Sequence, residues 1–123
     1  MEQLDNERKY MAQAGKEVVM KFPKLTECEL IVMKCIWDAR SECKVSEVMR
    51  MLNDRGIHYK RTTVSTYLIH LKEKGYLRIS REEKNVYYYD TAIGFEEYRK
   101  ESSKNYMNFW YQGNVDEFLN DLV

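Results

Sequence analysis

The stretch "KRTTVSTYL", Lys60 to Leu68, decides how the chain is interpreted. Hydroxyl-bearing or β-branched residues fill positions 62–66, and such a run favours a strand or a turn over a helix. The run leads directly into "LIHLKEKG", which is typical of the second half of a helix followed by a glycine stop. We therefore predict a helix from about Lys60 to Gly75 whose first turns are not optimised for helix stability.

The apolar residues of this helix predict which side faces the core. The predicted inward positions are Val64, Tyr67, Leu68 and Leu71. The outward face then carries Arg61, Thr62, Ser65, Thr66 and Ile69.

Two helices are predicted upstream. In "LTECELIVMKCIWDAR", Thr26 and Glu29 have the spacing of a capping box, and the predicted inward face is Leu30, Met33, Ile36 and Trp37. In "KVSEVMRMLNDRG" the helical stripe is Val45, Val48, Met49 and Leu52, with Gly56 as the stop.

Downstream of Gly75 the periodicity changes to two. Residues 76–80 and 86–89 are aromatic and β-branched and flank the charged "REEKN", which predicts a β-hairpin with a polar tip. Helical patterning returns from Phe95 to the end. The predicted fold is mostly α with a small β-hairpin: a winged helix-turn-helix DNA-binding domain followed by a helical dimerisation region. The predicted domains are an N-terminal extension (1–24), the winged helix (25–92) and the dimerisation region (93–123).

Charge is unevenly distributed along a chain whose formal net charge is zero. Residues 60–84 contain seven Lys or Arg against three Glu, whereas residues 94–123 contain three basic against six acidic residues. A polyanion would therefore bind the middle of the chain.

In a helix-turn-helix protein the second helix of the motif places its N-terminal residues against base edges. Arginine can pair with phosphate or guanine, hydroxyls can donate to phosphates, and threonine methyls can touch thymine. The predicted double-stranded DNA-binding residues, on the helix and the wing, are Lys60, Arg61, Thr62, Thr63, Ser65, Thr66, Lys72, Arg81 and Lys84. The alternative for Thr62 or Thr63 is that either one merely caps the helix.

Other classes of function have little support in the sequence. The three cysteines contain no CxxC pair, and His58 and His70 stand twelve positions apart, so no metal site is predicted. Phosphate-binding and nucleophile motifs are lacking, so neither a cofactor nor enzymatic activity is predicted. No run approaches the roughly 18 apolar residues of a membrane span, which predicts a cytoplasmic protein without membrane insertion.

Several motifs resemble those of the BlaI/MecI/CopY-type penicillinase repressors. "LTECELIVMKCIW" is similar to the family's N-terminal signature, with Leu25, Glu29, Val32, Met33 and Trp37 in the matching places. "RTTVSTYLIHLKEKGYL" resembles its recognition helix through Thr63, Val64, Thr66, Leu71, Lys74 and Gly75. "NVYYYDTA" and "FWYQGNVDEFLNDLV" resemble the end of its wing and the stretch after its long helix. The resemblance covers about Leu25 to Val123.

This resemblance implies a homodimeric repressor of resistance genes that binds a palindromic operator. In the β-lactam branch it further implies inactivation by cleavage after signalling through a membrane sensor protease. By position, the matching bond joins Asn114 and Val115. The copper branch carries C-terminal Cys-x-Cys pairs, and this chain has no cysteine after Cys43.

The C-terminal region carries an apolar, aromatic-rich set that is too large for a lone helix to expose. The predicted dimerisation residues are Tyr106, Phe109, Trp110, Phe118, Leu119 and Leu122. The alternative is that they pack on the wing and core of their own chain. Two other functions remain open: a winged-helix protein-interaction module without sequence-specific DNA binding, and a regulator whose effector site lies in the N-terminal segment.

Overall fold

The computed structural model of the chain describes residues 21–123. Most of the predicted N-terminal extension, residues 1–20, lies outside the described residues. The described chain divides into two compact units, one formed by residues 25–95 and another that contains residues 96–123.

The order of elements is that of a winged helix followed by further helix. Within residues 21–123 the elements are α1 (Glu27–Ala39), α2 (Val45–Asp54), α3 (Arg61–Glu73), β1 (Leu77–Glu83), β2 (Val86–Thr91), α4 (Phe95–Tyr111) and α5 (Val115–Asp121). The two strands pair antiparallel. The predicted fold class, mostly α with a small β-hairpin, is confirmed.

Helix α1 begins with the predicted capping box. The Glu29 amide donates to Thr26 Oγ1 at 3.2 Å, and the Thr26 amide donates to Glu29 Oε1 at 2.9 Å. The predicted inward face is wrong at one position, because Leu30 is 38% exposed and its neighbour Glu29 is buried instead. The apolar residue was expected to take the inward place, but a carboxylate can be buried there because it has hydrogen-bonding partners.

The core of the 25–95 unit lies where α1, α2 and α3 meet. Its fully buried side chains include Val32, Met33, Ile36, Val48, Leu52, Val64, Leu68, Leu71 and Tyr76. Tyr67, also predicted to face inward, is only half-buried and packs edge-on against Tyr59, with ring centroids 5.7 Å apart. Helix α3 ends before Gly75, whose φ of +83° is the left-handed conformation that a helix stop requires.

The hairpin is tied to the connection between α1 and α2. Cys43 and Tyr89 exchange two backbone hydrogen bonds of 2.8 Å, so a fragment of a third strand runs beside β2. The register shifts between Ile79 and Arg81, which leaves Ser80 as a bulge. The strands extend further than predicted, and the turn consists of Lys84 and Asn85 alone, because the cross-strand ladder continues through residues 81–83.

A partly buried ion pair joins the beginning of α1 to the end of α3. Lys74 Nζ lies 2.6 Å from Glu29 Oε1, and His70 Nδ1 lies 3.6 Å from Glu29 Oε2. Burial raises the pKa of Glu29, but hydrogen bonds from Lys74 and Thr26 outweigh it and hold this pKa below its ordinary value. The carboxylate therefore stays ionised at neutral pH and joins the two helices.

The 96–123 part of the second unit consists of most of α4 and of α5. The two helices are joined by Gln112 and Gly113, which have φ values of 51° and 82°. Neither helix contains a fully buried residue. This pair of helices is therefore held together without a buried core of its own.

Glu29→Gln is expected to lower the free energy of unfolding by about 2 kcal/mol at pH 7, because charge-assisted hydrogen bonds to Lys74 are lost. The depressed pKa of Glu29 makes its contribution fully present above the unfolded-state value of about 4.3. The contribution disappears as the pH falls through the folded-state pKa. Urea unfolding from pH 7 to pH 3 should show the two proteins converging at the acidic end.

Glu27→Gln is the matched control, since Glu27 is an exposed carboxylate in the same first turn of α1. It should change the free energy of unfolding by less than about 0.5 kcal/mol at every pH. Equal effects of the two substitutions would show that Glu29 contributes only a helix-dipole interaction.

Candidate nucleic-acid interface

The first turns of α3 present the residues that the sequence analysis assigned to DNA. Arg61, Thr62 and Thr66 are exposed, and Thr63 and Ser65 are half-buried. Lys60 occupies the cap position, without a side-chain capping hydrogen bond. Thr62 and Thr63 therefore lie inside the first turn, so the alternative that one of them is the helix cap is wrong.

The hydroxyl of Thr66 is engaged within its own helix. Its Oγ1 donates to the Thr62 carbonyl at 2.9 Å. This local bond uses the hydrogen of the hydroxyl, so the methyl group and the acceptor lone pairs of Oγ1 remain for an outward contact.

A groove of about 590 Å³ lies between α3, the beginning of α2 and the hairpin. Three of the predicted residues, Arg61, Ser65 and Lys72, line it. The other residues that line it are Lys44, Val45, Ser46, Ile69, Glu73, Ile79, Asn85, Val86, Tyr87 and Tyr89. The structure thus brings part of the predicted set together with side chains from two other segments.

The remaining predicted residues lie outside this groove: Lys60, Thr62, Thr63, Thr66, Arg81 and Lys84. Lys60, Thr62 and Thr66 belong to the exposed beginning of α3. Lys84 is at the tip of the hairpin. Within residues 21–123, Lys60, Arg61, Lys72 and Lys84 form no ion pair, so each is free to approach an anion.

Arg81 differs from the other predicted cations because carboxylates already surround it. Its Nε lies 2.5 Å from Glu42 Oε1, its Nη1 contacts Glu83, and its guanidinium lies 3.7 Å from the centre of the Tyr88 ring. The hydrogen bond to Glu42 is the main cause that raises the pKa of Arg81. Its contact with DNA stays a prediction, and such a contact would have to compete with these partners.

The polar groove residues that sequence reasoning missed include Lys44, Ser46, Asn85 and Tyr87. Lys44 and Ser46 stand at the beginning of α2, where Glu47 Oε1 accepts the Lys44 amide at 3.1 Å. The first helix of a helix-turn-helix crosses the DNA backbone. The position of Lys44 and Ser46 at the start of that helix could therefore have identified them as candidate DNA contacts. Asn85 and Tyr87 could have been found from the alternation of the strand, which places residues 87 and 89 on one face.

Two of the three thiols, those of Cys35 and Cys43, are buried. Burial raises the pKa of Cys43 to about 11 and also raises the pKa of Cys35. Both side chains are therefore protonated at neutral pH. In the part of the chain that the structure describes, no His, Cys, Asp and Glu side chains are grouped as a metal site requires.

The predicted dimerisation residues fall into two groups. Tyr106, Trp110, Leu119 and Leu122 are exposed by 51%, 64%, 51% and 67%. Phe109 and Phe118 are half-buried. The Phe118 ring packs edge-on against Tyr111 at 5.4 Å, and Tyr111 donates to Asp121 Oδ2 at 2.8 Å. The unit therefore uses Phe118 to hold α5 against α4 and leaves an apolar face to solvent.

The predicted cleavage position lies where α5 begins. Asn114 caps this helix, since its Oδ1 accepts the Glu117 amide at 3.3 Å. Asn114 and Val115 are both exposed. The bond between them is accessible in the folded chain.

The second helix of this helix-turn-helix presents threonines and an arginine, and the hairpin beside it completes a basic groove. This arrangement defines the class of winged-helix transcriptional regulators. The family model described as "Penicillinase repressor" matches residues 25–123. The chain belongs to the penicillinase repressor family, a family of transcriptional repressors. It is 29% identical over 99 residues to the penicillinase repressor of Bacillus licheniformis, covering 80% of this chain and 75% of that one.

Two solved structures of bacterial regulators are also similar. One is described as showing a mechanism for regulation of DNA binding of Bordetella bronchiseptica BpsR by 6-hydroxynicotinic acid. Its TM-score is 0.49 at 15% identity, and the match covers 98% of this chain and 86% of the other. The other is a MarR/EmrR family transcriptional regulator from Acinetobacter sp. ADP1, with a TM-score of 0.46, 20% identity, and coverage of 98% and 85%.

Between residues 21 and 123 no helix is both long enough and apolar enough to cross a membrane.

The hairpin tip carries backbone strain that a substitution can test. Lys84 and Asn85 have φ values of 51° and 64°, the geometry of a type I′ turn. A side chain in this conformation costs about 1 kcal/mol more than glycine does. Lys84→Gly should therefore be more stable than Lys84→Ala by about 1 kcal/mol in chemical unfolding.

The pair is informative because both substitutions remove the same charge. Gly94→Ala is the control for a general glycine effect, since Gly94 lies outside the left-handed region and a methyl group there would meet open space. If the Gly and Ala variants at position 84 unfold at the same denaturant concentration, the turn is not strained.

Proposed function

We propose that the protein is a homodimeric repressor that binds a palindromic DNA operator through α3 and the hairpin. The observation that carries the proposal is the convergence of Arg61, Ser65 and Lys72 with Lys44 and Asn85 on one groove, in a member of the penicillinase repressor family. These five side chains are hydrogen-bond donors, and three of them are cations. Base edges and phosphates of duplex DNA are bound by groups of this kind.

Each part of this surface has a definite chemical task. The exposed Arg61 and Thr62 reach base edges from the first turn of α3, where short side chains allow close approach to the floor of the major groove. Lys60, Lys72 and Lys84 neutralise phosphates. The first turn of α3 contains no acidic residue, so nothing there repels a phosphate.

Arg61→Ala should weaken operator binding about tenfold, because Arg61 is unpaired and exposed. Lys72→Ala should weaken binding to operator and to arbitrary duplex alike, and reduce the slope of log affinity against log salt by about 0.9. Fluorescence anisotropy with labelled duplex at several salt concentrations measures both effects.

Lys104→Ala is the matched control, since it removes one exposed positive charge from α4. It should leave both the affinity and the salt slope unchanged. A protein-interaction module built on the same fold predicts instead that all three variants behave like the wild type, and that no duplex binds with a salt-dependent affinity.

The dimer is proposed from the exposed apolar face of the C-terminal unit. Tyr106, Trp110, Leu119 and Leu122 are each at least half-exposed, and together they are the kind of surface that a monomer rarely leaves uncovered. A two-fold partner of the same sequence would bury this face and would present two recognition helices to two half-sites.

Leu119→Asp should weaken dimerisation on the order of 100-fold, because it places an unpaired charge in the proposed interface. Asn120→Asp adds the same charge at the neighbouring exposed position and should have little effect. Sedimentation analysis across a range of protein concentrations would separate the two, and identical dissociation of both variants would contradict the assignment of the interface.

The same interface suggests how repression ends. Cleavage of the exposed bond between Asn114 and Val115 would detach α5, which carries Leu119 and contributes Phe118 to the packing on Tyr111. We propose that a membrane sensor protease triggers this step in response to a β-lactam-type signal. A chain truncated after Asn114 should then dissociate at least as readily as the Leu119→Asp variant.

A further inference from the structure

The groove between α3 and the hairpin is lined by apolar side chains as well as by the cations that a phosphate backbone would contact. Ile69, Val86 and Tyr87 line it and are exposed by 49%, 37% and 45%, and the half-buried Ile79 lies in the same groove. Small-molecule sites are concave, mainly apolar and typically about 300–1,000 Å³ in volume. The groove, at about 590 Å³, falls within that range.

The charged residues of the groove define which ligand would fit. Lys44, Arg61 and Lys72 line it, and Glu73 is the single acidic residue among its lining side chains. Lys44 Nζ lies 5.9 Å from the centre of the Tyr88 ring, and in the described chain none of these three cations is paired with a carboxylate. The excess positive charge selects an anion, and the apolar walls select a ring system.

We propose that this groove binds a small amphipathic anion, an aromatic ring system that carries a carboxylate or a sulfonate. The ring would lie against Ile69 and Tyr87. The anionic group would be held by Lys72, whose charge-assisted hydrogen bonds are stronger than those of a neutral donor.

Occupation of the groove has a regulatory consequence, and this part rests on the proposed function. Lys72 is one of the cations assigned above to DNA, so a bound anion neutralises a charge that a phosphate would need. The ligand and the duplex therefore exclude each other. Such an effector would weaken DNA binding without cleavage of the chain.

The first experiment uses 8-anilinonaphthalene-1-sulfonate, an aromatic sulfonate whose fluorescence rises on binding, with the full chain and no DNA. Saturable binding is expected. The uncharged analogue N-phenyl-1-naphthylamine should bind about tenfold more weakly, because it lacks the group that the cations would hold.

Two variants assign the dye to the groove. Lys72→Ala should weaken sulfonate binding about tenfold and leave the uncharged analogue unaffected, whereas Ile69→Ser should weaken both ligands. Lys104→Ala, the charge-matched control on α4, should bind both as the wild type does. If Lys72→Ala and Ile69→Ser, both verified as folded by circular dichroism, bind the sulfonate like the wild type, the dye lies elsewhere and the proposal is wrong.

The second experiment adds duplex DNA of arbitrary sequence, since non-specific binding needs only the phosphates. Release of the dye in proportion to bound duplex supports competition. Dye that stays bound while the duplex binds overturns the regulatory part of the proposal. If no duplex binds but the dye still depends on Lys72, the anion site stands and the proposed DNA-binding function fails.

Discussion

The buried carboxylate of Glu29 is the constraint on which the arrangement of the winged helix depends. It accepts from the Thr26 amide at the beginning of α1 and pairs with Lys74 at the end of α3, at 2.9 and 2.6 Å. A buried charge without such partners would be strongly unfavourable, so the native packing is the one that brings Lys74 to α1. The buried stripe of Val64, Leu68 and Leu71 fixes the rotation of α3 in the core, and the ion pair adds a polar contact that only this register satisfies. The same rotation keeps Arg61 and Thr62 on the solvent side.

The hairpin has its own constraint. The double hydrogen bond between Cys43 and Tyr89 ties β2 to the segment before α2, so the beginning of α2 and the hairpin stay in a fixed relation. This relation creates the groove, because Lys44 and Ser46 come from one side and Tyr87 from the other. It also gives the cations of the wing different roles. Arg81 is held by Glu42, whereas Lys84 projects from a two-residue turn.

Periodicity predicted the order of elements and most of the core, since hydrophobic burial repeats at the helical and strand periods. It failed where a polar partner changed the outcome. Leu30 was expected to face inward, yet Glu29 is buried because Lys74 and Thr26 satisfy it. Lys74 lies far along the chain from Glu29, so no local pattern could reveal the pairing. The strands were also predicted too short. The charged residues 81–83 continue β1 because the opposite strand offers hydrogen-bonding partners to their backbone.

The sequence by itself determined that α3 would have two faces, an apolar stripe at Val64, Leu68 and Leu71 and an outward face of hydroxyls with Arg61. That follows from the helical repeat, which is a local property of the backbone. The tertiary structure alone decided that the stripe of Arg61, Ser65 and Lys72, and not the adjacent stripe of Thr62 and Thr66, lines a groove. The groove also draws on Lys44 and Tyr87, because a concave surface forms only where separate segments pack together.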